Sequence, residues 1–272
     1  MLIFPNAKIN IGLNVVSKRS DGFHNLETVF YPIGLSDILE FVEVPGQNQT
    51  PPLFINSGIY IKEESENLCV NAYNLIRKNF SLPNIKIHLH KKIPIGAGLG
   101  GGSSDAAYML KMLNEKFKLN LSKNDLIGLA NKLGSDCAFF IDNHAVFANK
   151  KGENLYSIQL SLEKYFLVLV FPYINISTVE AYSGIIPKKP DVSLNELIKI
   201  PIKDWRNHIK NDFEDTILDQ YPEIKAIKQN LYKLGATYSS MSGSGSSVYG
   251  IFRDRIETNG IFNDYILWTT YL

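Results

Sequence analysis

The chain has little of what several protein classes require. Among 272 residues there are two cysteines, Cys69 and Cys137, in unrelated contexts and without metal-ligand spacing. Neither a disulfide framework nor a zinc site is expected, and both thiols should be reduced and partly buried. An excess of one charge is missing as well: 28 Lys and Arg against 27 Asp and Glu leave a formal net charge of +1. That excludes the basic field nucleic-acid binding needs and points to a small-molecule partner. Long apolar runs are absent. The longest, around Phe166 to Phe171, falls far short of the ~20 residues of a membrane span. Met1 to Lys8 carries only a short apolar stretch before Pro5 and Asn6. No secretory signal or membrane association is expected, and the reading is a soluble cytoplasmic protein. Internal repeats and long low-complexity segments are lacking too.

What is abundant is glycine, concentrated in one place. Pro94 to Ala107 reads P-I-G-A-G-L-G-G-G-S-S-D-A-A, with five glycines in the seven residues from Gly96 to Gly102. Side chains stripped from such a stretch let several backbone N–H groups converge on one anion, as a phosphate cradle does. Ala106, Ala107, Leu110, Leu113 and Phe117 then recur at helical spacing, so a helix follows at once, with Ser103 or Ser104 where an N-cap belongs. The free N–H groups of its first turn and the positive end of its dipole would face the same anion.

Three other readings of the stretch compete. Gly96, Gly98 and Gly101 satisfy the dinucleotide fingerprint Gly-x-Gly-x-x-Gly, but Ile85 to His90 before it alternates apolar and polar instead of reading as a buried parallel strand. A Walker-type P-loop needs a lysine where Gly102 stands. A flexible linker does not explain Ile95, Leu99 or the immediate helix.

At about 100 to 200 residues per domain the length allows one large domain or two ordinary ones. A polar turn at Asn149 to Glu153 suggests a boundary, giving domains at 1–152 and 153–272. The first strand is expected from Phe4 to Val16, with Ala7, Ile9, Ile11, Leu13 and Val15 on one face and Lys8, Asn10 and Asn14 on the other. That second face is either solvated or a polar site for an anionic or hydroxylated ligand. Asp21-Gly22 marks a turn delivering Phe23 and His24, which either pack on the body or stack on a ligand. Strands follow at Leu26 to Phe30, Ile38 to Val44 and Ile85 to His90, with a polar loop at Pro45 to Pro52 and a helix opened by Asn67. Ser122 and Asp125 form a capping box for a helix that Gly134 ends. Asp136 then lies between a helix end and an aromatic strand, as a turn-former or as a carboxylate in a dry pocket. Further on, Tyr165 to Phe171 reads as a buried strand and Ser177 caps a short helix. Other helices are expected around Leu194, at Trp205 to Ile209 and at Pro222 to Leu234. A second glycine and serine cluster, Ser242 to Ser247, sits between the strands Ala236 to Ser240 and Val248 to Phe252.

Pro94 to Ala107, Asn6 to Asn10 and Ser242 to Ser247, taken together, resemble the GHMP kinase family of small-molecule kinases. A-K-I-N at Ala7 to Asn10, S-D-G-F-H at Ser20 to His24 and G-S-D-C-A-F-F at Gly134 to Phe140 narrow the likeness to members acting on a cytidine diphosphate-linked polyol. The resemblance implies a two-domain α+β fold with a left-handed βαβ element in the N-terminal part, a sandwich-like C-terminal domain and the active site in the interdomain cleft. It implies an ATP-dependent kinase, with Mg2+ accompanying the nucleotide through unknown ligands, in a monomer or weak homodimer. By matching motif, Asp136 would be the catalytic acid/base and Lys8 its partner. Pro94, Ile95, Gly96, Ala97, Gly98, Leu99, Gly100, Gly101, Gly102, Ser103 and Ser104 would bind the ATP phosphates. Asn67, Leu68 and Lys91 would lie near the adenine. Asn10 would join the substrate site, Phe23 and Tyr182 would stack on the two faces of cytosine, His24 would bond its edge, and Thr178 would lie beside them.

Three departures stand out. Phe23 occupies a position where Tyr is common, Cys137-Ala138 replaces a frequent Val-Pro, and Asp105 replaces Asn, which adds a negative charge near the phosphates. Kinases of homoserine or mevalonate offer no reason for Phe23-His24, and a silent ligand sensor none for keeping Lys8, Asp136 and Ser104.

Overall fold

A computed structural model describes residues 1–45, 52–61 and 67–272. Positions 46–51 of the expected Pro45 to Pro52 loop lie outside the described residues. The chain forms two compact units that interleave in sequence: Met1–Ala7, Leu35–Ile95 and Gly100–His144 make the first, and Lys8–Gly34, Gly96–Leu99 and Ala145–Leu272 the second.

The first unit holds a four-stranded sheet in the order β1 (Leu2–Ile3), β4 (Ile38–Glu43), β6 (Ile85–Lys91), β5 (Leu53–Gly58). β5 runs parallel to β6 and reaches it through the helix α1 (Leu68–Arg77), which is a βαβ element. Along β6, Ile85, Ile87 and Leu89 are buried while Lys86, His88 and His90 are only partly so. Each buried aliphatic side chain stabilises by roughly 1.5–3 kcal/mol. Lys91 continues the buried row. The unit's other helices are α2 (Gly101–Lys116), α3 (Lys123–Leu133) and α4 (Phe139–Asp142). α2 buries Ala106, Ala107, Leu110 and Leu113, as the spacing predicts. In α3 the capping box is present: Ser122 Oγ accepts from Asp125 N, and the Asp125 carboxylate accepts from Ser122 N at 2.9 Å. The aromatic strand expected after Asp136 is instead the helical turn α4, with Phe139, Phe140 and Ile141 all buried. So short an apolar run has no period to separate strand from helix.

The second unit contains two four-stranded sheets. One has the order β2 (Asn6–Lys18), β3 (His24–Ser36), β7 (Val146–Lys150), β8 (Asn154–Ser157). The polar turn at Asn149 to Glu153 closes the β7–β8 hairpin inside this sheet, and β3 pairs with β7 across the two sequence halves. The other sheet has the order β10 (Tyr238–Met241), β11 (Val248–Phe252), β9 (Phe166–Phe171), β12 (Ile266–Tyr271). Five helices complete the unit: α5 (Thr178–Ser183), α6 (Leu194–Leu197), α7 (Trp205–His208), α8 (Glu214–Gln220) and α9 (Pro222–Lys233). Its core joins Val168 and Val170 of β9 and Val248 and Phe252 of β11 to Phe213, Ile217, Ile224, Ile227 and Leu231. Among the described residues, no helix is long and apolar enough to cross a membrane.

Candidate active site

The helix α2 starts earlier than serine capping predicts. Its N-cap is Gly100, in the left-handed region at φ 69°, with no side-chain cap bond, and Ser103 and Ser104 already lie inside the helix. Only glycine enters that conformation without strain. Its first ladder bond runs from Ser104 N to Gly100 O at 2.9 Å. The N–H groups of Gly101, Gly102 and Ser103 are therefore left out of the ladder, and no serine oxygen competes with an anion for them. Gly102 is exposed, and a Cβ there would stand 3.9 Å from Leu68 Cδ1. The expected adenine pair thus borders the start of α2. Asn67 caps α1, its Oδ1 accepting from Cys69 N at 2.8 Å. The hydroxyl of Ser104 is buried without a hydrogen-bond partner.

Lys91, expected near the adenine, has its ammonium bonded to two carboxylates. Its Nζ is buried and donates to Asp37 and, at 2.8 Å, to Asp105 Oδ2. Asp37 Oδ1 also accepts from Ile93 N at 2.8 Å and from Lys92 N. Asp105 is thus turned into the buried cluster. Burial pushes its carboxyl up to about 7 despite the Lys91 cation, and Asp37 adds to the rise. Its Oδ1 has no partner.

Asp136 sits half-buried in the turn after α3. The turn touches α2: a Cβ on Gly134 would lie 3.3 Å from Cys137 Sγ and 3.8 Å from Ser103 Oγ. Burial pushes the Cys137 thiol up to about 11, against its hydrogen bond with Ser103. Both cysteines are free and buried, as expected.

In the second unit, the polar face of β2 is buried; the solvated alternative fails. Lys8 is 4% exposed and Asn10 2%. Lys8 Nζ donates to Asn10 Oδ1 and to Gly98 O, the latter at 2.9 Å, and lies 5.1 Å from the centre of the Phe30 ring. Asn10 Nδ2 donates to Thr28 Oγ1 at 2.8 Å, and its carbonyl accepts from Tyr249 OH at 2.7 Å. Ser242 Oγ accepts from Asn10 N and donates to Gly98 O at 2.8 Å. The two glycine clusters meet here. A Cβ on Gly98, at φ +75°, would fall 1.9 Å from Ser242 O.

The ring stacked on Tyr182 is His24, with centroids 4.6 Å apart and planes at 14°. Phe23 is 58% exposed with Lys151 Nζ 4.9 Å from its centre, because Asp21, held by Arg19, accepts from Phe23 N and fixes the tip. Burial and Lys18 lower the His24 pKa, favouring neutral imidazole. Thr178 opens α5, which Ser177 caps.

Sequence reasoning missed Asp37, Thr28, Asn211 and Glu214. Asn211 Nδ2 donates to Met241 O at 2.9 Å and Gly243 O at 2.8 Å; Glu214 Oε1 accepts from Met241 N at 2.7 Å. The signal for Asn211 and Glu214 was Asn211-Asp212-Phe213-Glu214, polar residues beside a buried aromatic.

The pattern of the GHMP kinases N terminal domain matches residues 67–147, and that of the GHMP kinases C terminal matches 194–262. A 4-diphosphocytidyl-2-C-methyl-D-erythritol kinase of Azobacteroides pseudotrichonymphae is 52% identical over 265 residues, 97% of either chain. A kinase of the same name from Bacteroides fragilis is 53% identical over 93% of this chain and 92% of its own. The crystal structure of a 4-(cytidine 5'-diphospho)-2C-methyl-D-erythritol kinase superposes with a TM-score of 0.78 at 31% identity, covering 92% of this chain and 90% of the other. With an uncapped helix behind a glycine loop, and with both family patterns in order, the chain belongs to the GHMP kinase family.

Proposed function

We propose that this kinase transfers the γ-phosphoryl group of ATP to the 2-hydroxyl of 4-diphosphocytidyl-2-C-methyl-D-erythritol, a step of the non-mevalonate isoprenoid precursor pathway carried out in the cytoplasm. The observation that carries the reading is the start of α2, where three N–H groups are left out of the ladder behind a loop with no room for side chains at Gly98. Phosphoryl transfer asks the protein mainly for alignment and charge neutralisation. Gly96 to Ser104 would cradle the phosphates with backbone donors. When bound, ATP supplies the phosphoryl group, and Mg2+ would neutralise the phosphates. The unpartnered Ser104 hydroxyl is a fitting hard-oxygen donor for that cation.

Asp136 would accept the proton of the attacking hydroxyl, a contribution of about 10²- to 10⁴-fold where it operates. Lys8 would offset developing negative charge on the substrate. Its fixed partners, Asn10 and Gly98 O, support a positioning role toward the substrate end of the loop. For base recognition, His24 or its neighbour Phe23 would stack on cytosine, with Tyr182 and Thr178 alongside. The pair His24–Tyr182 must open for a base to enter between them. The protein would act as a monomer or weak homodimer.

A coupled ADP-release assay tests the reading by offering the cytidine diphosphate substrate beside homoserine and mevalonate. Turnover is expected with the first alone. Turnover of either small alcohol in its place would overturn the substrate assignment. Asp136→Asn should abolish most turnover while ATP binding is retained; wild-type kcat there would remove the role given to Asp136.

A further inference from the structure

We propose that Asp37, Lys91 and Asp105 form a brace that sets nucleotide affinity by fixing both ends of the phosphate loop. The proposal rests on the reading of Pro94 to Ser104 as that loop. Asp37 holds the entry: its Oδ1 accepts from the N–H groups of Lys92 and Ile93, the two residues before Pro94. Asp105, on the second turn of α2, marks the exit. Lys91 Nζ joins them by donating to both carboxylates. A Cβ on Gly101, the first residue of α2, would stand 2.9 Å from Lys91 Nζ and 2.9 Å from Ile93 Cγ2. The ammonium therefore lies directly against the start of the helix whose N–H groups face the anion.

The arrangement is more than a core ion pair. Two carboxylates share one cation, and none of the three residues is more than 3% exposed. One oxygen of Asp105 has no partner. Packing alone would be better served by a neutral residue at 105, which would leave Lys91 and Asp37 as a balanced pair. What the second charge adds is a stronger hold on α2, because charge-assisted bonds are roughly twice as strong as neutral ones. A loop held in its binding geometry loses less order when the anion arrives. These are positioning residues: they act through the loop's N–H groups and leave the alcohol substrate's contacts untouched.

The test uses two substitutions that leave Lys91 and Asp37 in place. Asp105→Asn weakens the tether and Asp105→Leu deletes it at similar volume. Titration calorimetry with ADP and Mg2+ should give a Kd raised about threefold for Asn and about tenfold for Leu, as expected for lost preorganisation. The KM for the alcohol substrate and kcat should stay within about twofold. The thermal midpoint of Asp105→Asn should be no lower than that of the wild type, so weaker binding cannot come from a weakened fold. Variants that bind ADP as the wild type does would overturn the brace. So would equal losses toward both substrates, or losses that track a fallen midpoint. If Asp105→Leu does not fold, Asp105→Asn decides alone. Wild-type protein that binds no ADP would overturn the reading of the loop itself, an outcome separate from failure of the brace.

Discussion

The two glycine clusters solve one problem in different ways. Ser242 to Ser247 joins β10 to β11, which pair residue by residue from Tyr238 opposite Ile251 to Met241 opposite Val248. The ladder already fixes its two ends, and Ser242 N to Ser247 O at 2.9 Å continues the pairing into the loop. Little more is needed: Asn211 binds two of its carbonyls, and Glu214 receives Met241 N. Pro94 to Gly100 joins a strand to a helix. No ladder joins those ends; main-chain bonds from Lys8 N to Leu99 O at 3.0 Å and from Ser247 N to Ala97 O at 3.3 Å hold the middle of the loop, and three buried charged groups hold its ends. A hairpin loop inherits its geometry from the sheet; a strand-to-helix loop has to be given one.

The severest challenge to this distinction comes where the clusters touch. Gly98→Ala sets a methyl against Ser242 O and forces a left-handed φ on an L residue, the φ alone costing about 1–2 kcal/mol. Turnover should fall at least about a hundredfold, the scale at which a small misplacement of the reacting groups is felt. Gly96→Ala is the control: φ is +65°, but the nearest atom to its Cβ is 3.9 Å away. It should lose only the conformational part. Equal effects would mean that backbone strain, not loop-on-loop contact, makes Gly98 necessary.

Next in size is Lys91→Met, which leaves Asp37 and Asp105 buried without their cation. Breaking a buried pair from one side costs about 3–5 kcal/mol, read as a fall in the denaturation midpoint. Asn211→Ala, the corresponding change behind the other cluster, leaves Met241 O and Gly243 O without their donor. It should cost about 1–3 kcal/mol, less than Lys91→Met. If Asn211→Ala proved the more damaging, the division between a ladder-held and a charge-held loop would fail.

How much of this was legible follows from the kind of signal each region leaves. Glycine clusters, the Asn67 cap and the Ser122–Asp125 box announce themselves locally, and all appear where expected. The start of α2 was hidden because a serine after glycines looks like a cap, whereas the helix begins in the glycines with no side-chain cap bond. β5 went unseen because Asn56, Ser57 and Gly58 carry no strand preference; its parallel pairing with β6 supplies the bonds that its residues do not advertise. Lys91 was readable in principle. It continues the inward row Ile85, Ile87, Leu89, and a lysine in an inward row must find buried carboxylates. Asp37 lies 54 residues away from it, and nothing local names that partner. The His24–Tyr182 stack was illegible for a similar reason: which of two neighbouring rings meets Tyr182 depends on the turn, where Asp21 accepts from Arg19 and from Phe23 N.

A weaker consequence runs in the opposite direction and bears most closely on what separates the two loops. Asp105 has its folded-state pKa raised to about 7 from an ordinary 3.8, first by burial, with Asp37 opposing ionisation and Lys91 favouring it. The buried thiol of Cys69, on α1, faces the same group. An acid whose pKa is higher in the folded state binds more protons there than in the unfolded chain between those two values. Stability from this group therefore declines as pH rises from about 4 to about 7 and is level above, with a slope of at most about 1.4 kcal/mol per pH unit. Asp105→Asn removes that slope, so its midpoint should exceed the wild type's at pH 8 by on the order of 1–3 kcal/mol equivalent, and the gain should vanish near pH 4. Behind the other loop the buried Glu214 carboxylate is paired with Lys228, and Asn211→Ala removes no charge, so it should destabilise by a similar amount at both pH values. A pH-independent midpoint for Asp105→Asn relative to the wild type would mean that Asp105 ionises in the fold without cost. The brace would then be an ordinary ion cluster, and the contrast between the two loops would reduce to topology alone.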